Sequence, residues 1–206
     1  MNHTTMPFIL ASQSPRRAEL LREAGFEIEQ RSPPFADPDQ PPDHLRGHEA
    51  EDYAQLLALQ KAHSLVVQID APALLLAADT ICVDHEGQLV GKPRDPEHAR
   101  AMLDQFMNNR HRVISGVALM RVGGGAAQTL ASFADTALVT FGRVSDAALA
   151  EYVATGDWRG KAGGYNLFDR RAAGWPITVE GDPTTVVGLP MRLLIPRLEA
   201  ALNSLR

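Results

Sequence analysis

Ser12-Gln13-Ser14-Pro15-Arg16-Arg17 separates two stretches of different character. Before it stands the apolar run Phe8-Ile9-Leu10-Ala11. After it comes Ala18-Glu19-Leu20-Leu21-Arg22-Glu23-Ala24, which has helical spacing and stops at Gly25. The pattern predicts a strand that enters a helix through a loop of two hydroxyls and two guanidiniums. Ser14 suits the N-cap, Pro15 the first helical position and Gly25 the C-terminal stop. Backbone N–H groups at a helix N-terminus point into such a loop, and the helix dipole favours negative charge there. Arginine adds forked planar donors that match phosphate oxygens. Ser12, Ser14, Arg16 and Arg17 are therefore candidate ligands of a phosphorylated molecule.

Outward from this segment, helices and strands interleave. Phe26 to Gln30 alternates like a strand. Glu49 to Val66 reads as a helix, with Tyr53, Leu56, Leu57 and Leu59 at helical spacing. Ala73-Leu74-Leu75-Leu76-Ala77-Ala78 reads as a strand buried on both faces that ends in Asp79-Thr80. Ile81-Cys82-Val83 and Leu89-Val90 flank a turn, which predicts a hairpin. Asp95-Pro96 caps a helix carrying Ala99, Met102, Leu103 and Phe106. Arg112 to Met120 and Phe133 to Phe141 read as partner strands around Gly123-Gly124-Gly125, and Ser145-Asp146 opens a helix that ends at Gly156. A strand is expected at about Trp175 to Val179 and a last helix from about Pro190. Pro196 inside that helix predicts a kink or a later start. Crossovers together with hairpins imply an α/β domain with a mixed sheet.

Composition narrows the function. A chain of 206 residues, 45% hydrophobic, holds one large domain or two small lobes. It has no apolar run long enough to span a membrane and no secretory leader pattern. The lone Cys82 has no internal partner and sits among apolar neighbours, which suggests a core residue and a reducing, cytoplasmic interior. A net charge of −5 gives no basic footprint for duplex nucleic acid. Positive charge is instead local, at Arg16/Arg17, Lys61, Lys92 and Lys161. Ser32 to Pro42, with five prolines, reads as a surface loop. Seven histidines are scattered, with no H-E-x-x-H motif and no cysteine–histidine cluster, so a zinc site is not expected.

Asp79 is the principal candidate for chemistry. A carboxylate at a strand end can hold Mg²⁺ beside substrate phosphates, or take a proton from water. Lys92, in Gly91-Lys92-Pro93, supplies a point charge for phosphate. In Gly160-Lys161-Ala162-Gly163-Gly164-Tyr165 the glycines allow amides to wrap an anion, and Tyr165 offers a ring to a base. No G-x-x-x-x-G-K-[ST] loop is present.

Taken in order, these segments resemble the Maf family, also called the septum formation inhibitor family. Leu10-Ala11-Ser12-Gln13-Ser14-Pro15-Arg16-Arg17 is similar to its opening motif, and Lys61-Ala62 to its helix lysine. Ala78-Asp79-Thr80 is similar to its acidic motif, with Gly91-Lys92-Pro93 at a fitting distance. His111 to Val117 resembles its next strand, Lys161-Ala162-Gly163-Gly164-Tyr165 its glycine loop, and Val187-Gly188-Leu189-Pro190 the lead-in to its last helix. The resemblance implies a single domain over residues 1–206, similar to the inosine triphosphatases. Its elongated mixed sheet would be flanked by helices, with two lobes around a nucleotide cleft. It implies hydrolysis of a nucleoside triphosphate to the monophosphate and pyrophosphate, with a divalent cation, Mg²⁺ or Mn²⁺, as cofactor and a homodimer as a possible assembly. It places Asp79 and Lys92 in catalysis, and Ser12, Ser14, Arg16, Arg17, Lys61, Thr80, Lys161, Gly163 and Tyr165 on the substrate. Asp79 and Asp37 become the metal ligands.

The arginine pair and the lysine loop resemble the branch that prefers dTTP and UTP rather than the branch that prefers 7-methyl-GTP. Two positions depart from it. Phe168 stands where that branch has glutamine, which removes a base-reading amide. Ala36 replaces one expected acid, leaving Asp37, with Asp39 nearby. A 7-methyl-GTP or other modified-nucleotide pyrophosphatase is the alternative within the family, and a nucleotide-binding regulator of septation with little turnover is the alternative of another class; a nucleotidyltransferase would need an acceptor site that the sequence does not reveal.

Overall fold

The computed structural model describes residues 6–36, 38, 42 and 44–204. The opening segment forms as its pattern predicts. Strand β1 (Phe8–Ala11) is buried throughout and leads into helix α1 (Pro15–Glu23), whose Ser14 cap accepts the Arg17 N–H. Chain order continues with β2 (Glu29–Arg31), α2 (Glu49–Val66), β3 (Ala73–Val83), β4 (Leu89–Val90), α3 (Pro96–Phe106), β5 (Arg110–Gly123), β6 (Ala126–Phe141) and α4 (Asp146–Thr155). A 3-10 turn (Ala162–Gly164), α5 (Leu167–Ala172), β7 (Ile177–Glu180), α6 (Pro183–Val187) and α7 (Met191–Ser204) complete it. The strands make one mixed sheet in the order β2-β1-β3-β5-β6-β7. β1 lies parallel to β2 and β3, the other neighbours are antiparallel, and β4 pairs with the end of β3.

Strand alternation sorts the core onto two faces. On one face α2 covers Ile9, Ala11, Leu75, Ala77, Ala118 and Met120. On the other, α1 and α7 cover Leu10, Leu74, Leu76, Ala78, Val117 and Leu119. Farther along that second face, Cys82, Val113 and Val139 pack with α3, α4 and the aromatic residues Phe106, Phe141, Tyr152, Trp158, Tyr165 and Trp175. The mixed α/β class is as expected.

Several expectations are corrected. β3 does not end at Asp79 but runs to Val83, with Asp79 inside it. β2 begins at Glu29, three residues later than the alternating pattern suggests. The buried face of α2 is largely alanine, Ala50, Ala54, Ala58 and Ala62, while Leu56 is 48% exposed. The cause lies beneath it. Gly116 on β5 faces the helix, and a Cβ there would overlap the Ala54 carbonyl. Small residues on both sides let the helix backbone sit directly on the sheet. Pro196 neither starts nor ends α7. Both Pro196 and Arg192, whose carbonyl loses its helical partner, are exposed, where that carbonyl is open to solvent. The short helices α5 and α6 are absent from the sequence reading.

Candidate active site

The sheet places a gap at one point along β3. β1 pairs with β3 only as far as Ala11 opposite Ala77, and β4 begins pairing at Val90 opposite Cys82. Between them, residues 78–81 have no strand neighbour on that edge. The loop leaving β1 and the Gly91-Lys92-Pro93 turn leaving β4 meet there, around a cleft of about 470 Å³. Sheets gather ligands where parallel strands end and chain directions diverge. Ser12, Ser14, Arg16, Arg17, Lys61, Asp79, Thr80, Lys92, Lys161 and Tyr165 all line this cleft.

Asp79 is 7% exposed and is the one carboxylate lining the cleft among the described residues. It stands opposite Gly116 in the sheet register, on the α2 face. Its Oδ1 pairs with the Lys61 ammonium from α2. Oδ2 carries no hydrogen bond among the described residues. Lys61 also lies 5.3 Å from the Phe35 ring centroid, so the proline-rich loop caps this ion pair. Sequence reading missed Phe35, because a single aromatic in a proline-rich loop carries no periodic signal.

The opening loop is held rigid from below. Ser12 Oγ accepts the Ser14 N–H (3.1 Å) and one Arg17 Nη1–H (3.3 Å). The Gln30 amide donates to the carbonyls of Ser12 and Ser14 at 2.8 and 3.3 Å. Arg17 donates to Gly188 O (2.9 Å), Ala78 O (2.8 Å) and Thr80 Oγ1 (2.8 Å) as well. It thus satisfies Ala78, whose carbonyl faces the gap left by β1. Gly188 permits this approach: at φ +120°, a Cβ there would stand 2.8 Å from Arg17 Nε. Burial pulls the Arg17 pKa down, and Asp79 partly offsets that. Arg17 lines the cleft, but its guanidinium is largely engaged with protein oxygens. Arg16 differs, making no hydrogen bond among the described residues; burial lowers its pKa, against the pull of Asp169.

The glycine loop corrects two expectations. The Gly163 amide donates to Gly91 O (3.1 Å) and that of Gly164 to Lys161 O (3.0 Å), so neither is left to wrap an anion. Both glycines hold positive φ, at 74° and 72°, and a Cβ on Gly164 would press Pro93 Cγ at 3.0 Å. Their function is to dock one cleft wall against the other. Tyr165 is likewise buried. Its hydroxyl meets His111 Nε2 at 2.8 Å, and its ring, nearly perpendicular to Phe141 and Phe106, is only 6% exposed, too little for a base to stack on. Lys161 donates to the Asp157 carbonyl; burial and then Arg16 lower its pKa. Lys92 is exposed at the rim.

Both departures fall outside the cleft lining. Phe168 is 44% exposed on α5, and Ala36 is exposed. Asp37 and Asp39 lie outside the described residues. No group of three or more metal-ligating His, Cys, Asp or Glu side chains occurs among the described residues. Cys82 is fully buried, its pKa pushed up by burial, as befits a core thiol. No helix among the described residues is long and apolar enough to cross a membrane.

The Maf-like protein family model matches residues 7–201. A dTTP/UTP pyrophosphatase from Salinibacter ruber is 41% identical over 200 residues, covering 97% of this chain and 93% of that protein. A Ruegeria dTTP/UTP pyrophosphatase is 39% identical, covering 90% of each chain. One from Anaeromyxobacter dehalogenans is 38% identical, covering 89% and 88%. Among solved structures, a nucleoside-triphosphatase / dITP/XTP pyrophosphatase from Mycobacterium abscessus overlaps at TM-score 0.39 and 15% identity, covering 68% of this chain and 74% of that one. That overlap is too slight to bear on the fold.

Proposed function

Because the chain belongs to the Maf family, we propose that its cleft hydrolyses the α–β phosphate bond of a nucleoside triphosphate, with dTTP and UTP preferred. The products are the nucleoside monophosphate and pyrophosphate. One observation carries the reading: a buried carboxylate, Asp79, the one lining the cleft among the described residues, sits at the break in the sheet edge, ringed by Lys61, Lys92, Lys161 and Arg16. Binding alone needs the cations but not a carboxylate facing a phosphate site, where like charge opposes the ligand. That argues against a regulator without turnover.

Ser12, Arg16, Lys92 and Lys161 hold the triphosphate, with the cations offsetting charge that builds on the leaving pyrophosphate. Ser14 caps α1 and aims that helix N-terminus at the same phosphates. Lys61 fixes the Asp79 carboxylate by one oxygen, which leaves Oδ2 to take the proton of a water attacking the α-phosphorus. Arg17 and Thr80 act on the shape of the loop rather than on the nucleotide.

A divalent cation fits this donor set. Mg²⁺ is commonly held by one or two carboxylates plus substrate phosphates and keeps its remaining waters. Asp79 supplies one carboxylate, and Asp37 is the second candidate. When bound, such an ion supplies charge neutralisation on the phosphates; Mn²⁺ suits the same oxygens.

The preference for pyrimidines rests on the likeness to relatives named dTTP/UTP pyrophosphatases; Phe168 lies outside the cleft lining and so does not bear on it. The test is product identification with dTTP, UTP, CTP, GTP and 7-methyl-GTP, with Mg²⁺ or with chelator. Pyrophosphate and monophosphate from dTTP and UTP are expected in the presence of metal. Release of orthophosphate would exclude the assigned bond, and absence of turnover with every nucleotide would exclude the enzyme.

A further inference from the structure

Three polar residues stand side by side across the sheet, where apolar packing otherwise prevails. Thr80 on β3 is in register with Ser115 on β5, and Ser115 with Asp135 on β6. All three lie on the face opposite α2, and α6 packs over them. Ser115 and Thr185 of α6 are fully buried. Ser115 Oγ donates to Thr185 O at 2.8 Å, and Thr185 Oγ1 donates to Asp135 Oδ2 at 2.5 Å.

The direction of each hydrogen bond follows by elimination. Ser115 has one hydroxyl proton, and a carbonyl oxygen can only accept, so that proton goes to Thr185 O. The 2.8 Å contact between Thr80 and Ser115 must therefore have Thr80 as donor. Thr80 Oγ1 then has only acceptor capacity left, and Arg17 Nη2 fills it. The order runs Arg17 to Thr80 to Ser115 to Thr185, whose own hydroxyl is anchored on Asp135. Arg17 Nε closes a ring by donating to Gly188 O, just past the end of α6. At the other side of Arg17, Ser12 Oγ has both acceptor positions taken by Ser14 N–H and Arg17 Nη1–H. Its own proton remains the one donor free to meet a ligand.

We propose that Ser115, Thr185 and Asp135 are positioning residues: they lock Arg17 in one plane, and Arg17 in turn fixes the Ser12 hydroxyl as a donor to the phosphates. None of the three lines the cleft. The same polarity makes Thr80 a link in this relay rather than a phosphate donor. The inference rests on the phosphate-binding role given above to the Ser12 loop, and its test is chosen to fail separately from that role.

Thr185→Val removes the hydroxyl and keeps the shape; Thr185→Ser keeps the hydroxyl. Asp135→Ala removes the anchoring acceptor on the partly exposed end, whereas Asp135→Asn keeps an acceptor oxygen. Thr185→Val and Asp135→Ala are expected to raise KM for UTP about five- to tenfold, with kcat within about twofold, as for loss of a binding hydrogen bond. Thr185→Ser and Asp135→Asn stay within about twofold of the parent. Calorimetry with pyrophosphate reads the same loss without turnover. The nuclear magnetic resonance signal of the Arg17 Nε–H reads the relay without any ligand. Its exchange with solvent should accelerate in Thr185→Val and not in Thr185→Ser. Should Thr185→Val fail to fold, the Asp135 pair carries the comparison. Unchanged KM and unchanged Arg17 exchange in the disrupting variants overturn the relay, as does failure of the conservative variants to restore either. A parent protein that neither turns over UTP nor binds pyrophosphate overturns the functional reading instead, and the Arg17 exchange still decides the relay.

Discussion

Gly116→Ala probes how packing builds the site. Gly116 is the cross-strand partner of Asp79, and the backbone of α2 rests on it. An added Cβ would overlap the Ala54 carbonyl and stand 2.5 Å from the Gln55 nitrogen. Ordinary contacts lie at roughly 3.5–4.0 Å, so the helix must lift by about 1 Å or more. A gap of that size forfeits about a quarter to a half of each dispersion contact beneath the helix. The obstacle is backbone, which has no rotamer in which to yield, so the cost belongs at the upper end for overpacking, about 3 kcal/mol. A net stability of about 5–15 kcal/mol survives that loss, so the variant folds. For a chain of this size the melting temperature should fall by roughly 6–12 °C. Lys61 lies about two turns beyond Ala54 on the same helix, so lifting α2 also draws its ammonium away from Asp79. Scanning calorimetry and steady-state kinetics on one preparation check both effects. The expected result is the lower melting temperature with kcat/KM reduced about tenfold, in keeping with loss of an oriented catalytic group. Melting within about 1 °C of the parent, with unchanged turnover, would refute the idea that close helix approach sets the Lys61–Asp79 pair.

Lys61→Met removes one partner of a largely buried ion pair, leaving Asp79 without its direct ion-pair partner. Stability should fall by about 3 kcal/mol on urea titration, less if solvent reaches the carboxylate. Gly188→Ala forces a side chain into positive φ and against Arg17; about 2–3 kcal/mol of destabilisation is expected, with a raised KM, from denaturation and kinetics together. His111 is 1% exposed and burial holds its pKa down at about 3. The folded state therefore binds fewer protons than the unfolded state between about pH 6.5 and 3. Stability from the neutral ring is complete above the unfolded pKa and is lost as pH falls through that window. His111→Gln, which keeps a partner for Tyr165, should flatten this part of the stability profile by about one proton.

Much of this architecture was legible in the sequence. The strand, Ser14 cap, Pro15 and Gly25 of the opening segment form as their patterns dictate, because local rules and tertiary packing agree there. α2 was legible in extent but not in orientation. Its alanine face is chosen by Gly116, sixty-two residues away from Ala54 in the chain, and periodicity alone favours leucine as the core face. Asp79 was legible as a candidate carboxylate, and it does line the cleft, but for a partly mistaken reason. It does not end its strand; the neighbouring strands end beside it, and strand pairing is not written in β3 itself. Gly163 and Tyr165 drew attention through their chemistry, but glycine serves close packing as readily as anion binding. Thr185 and Asp135 gave no signal, since their function arises only when α6 folds over β5 and β6.

The direct test of the central claim is product analysis of UTP and dTTP turnover by the parent chain and by Asp79→Asn, with Mg²⁺ present. The parent should release pyrophosphate and the monophosphate. The variant should still bind nucleotide, with kcat lower by about 10²–10⁴, the range for loss of a general base. Full activity in Asp79→Asn, or orthophosphate as the parent's first product, would contradict the account.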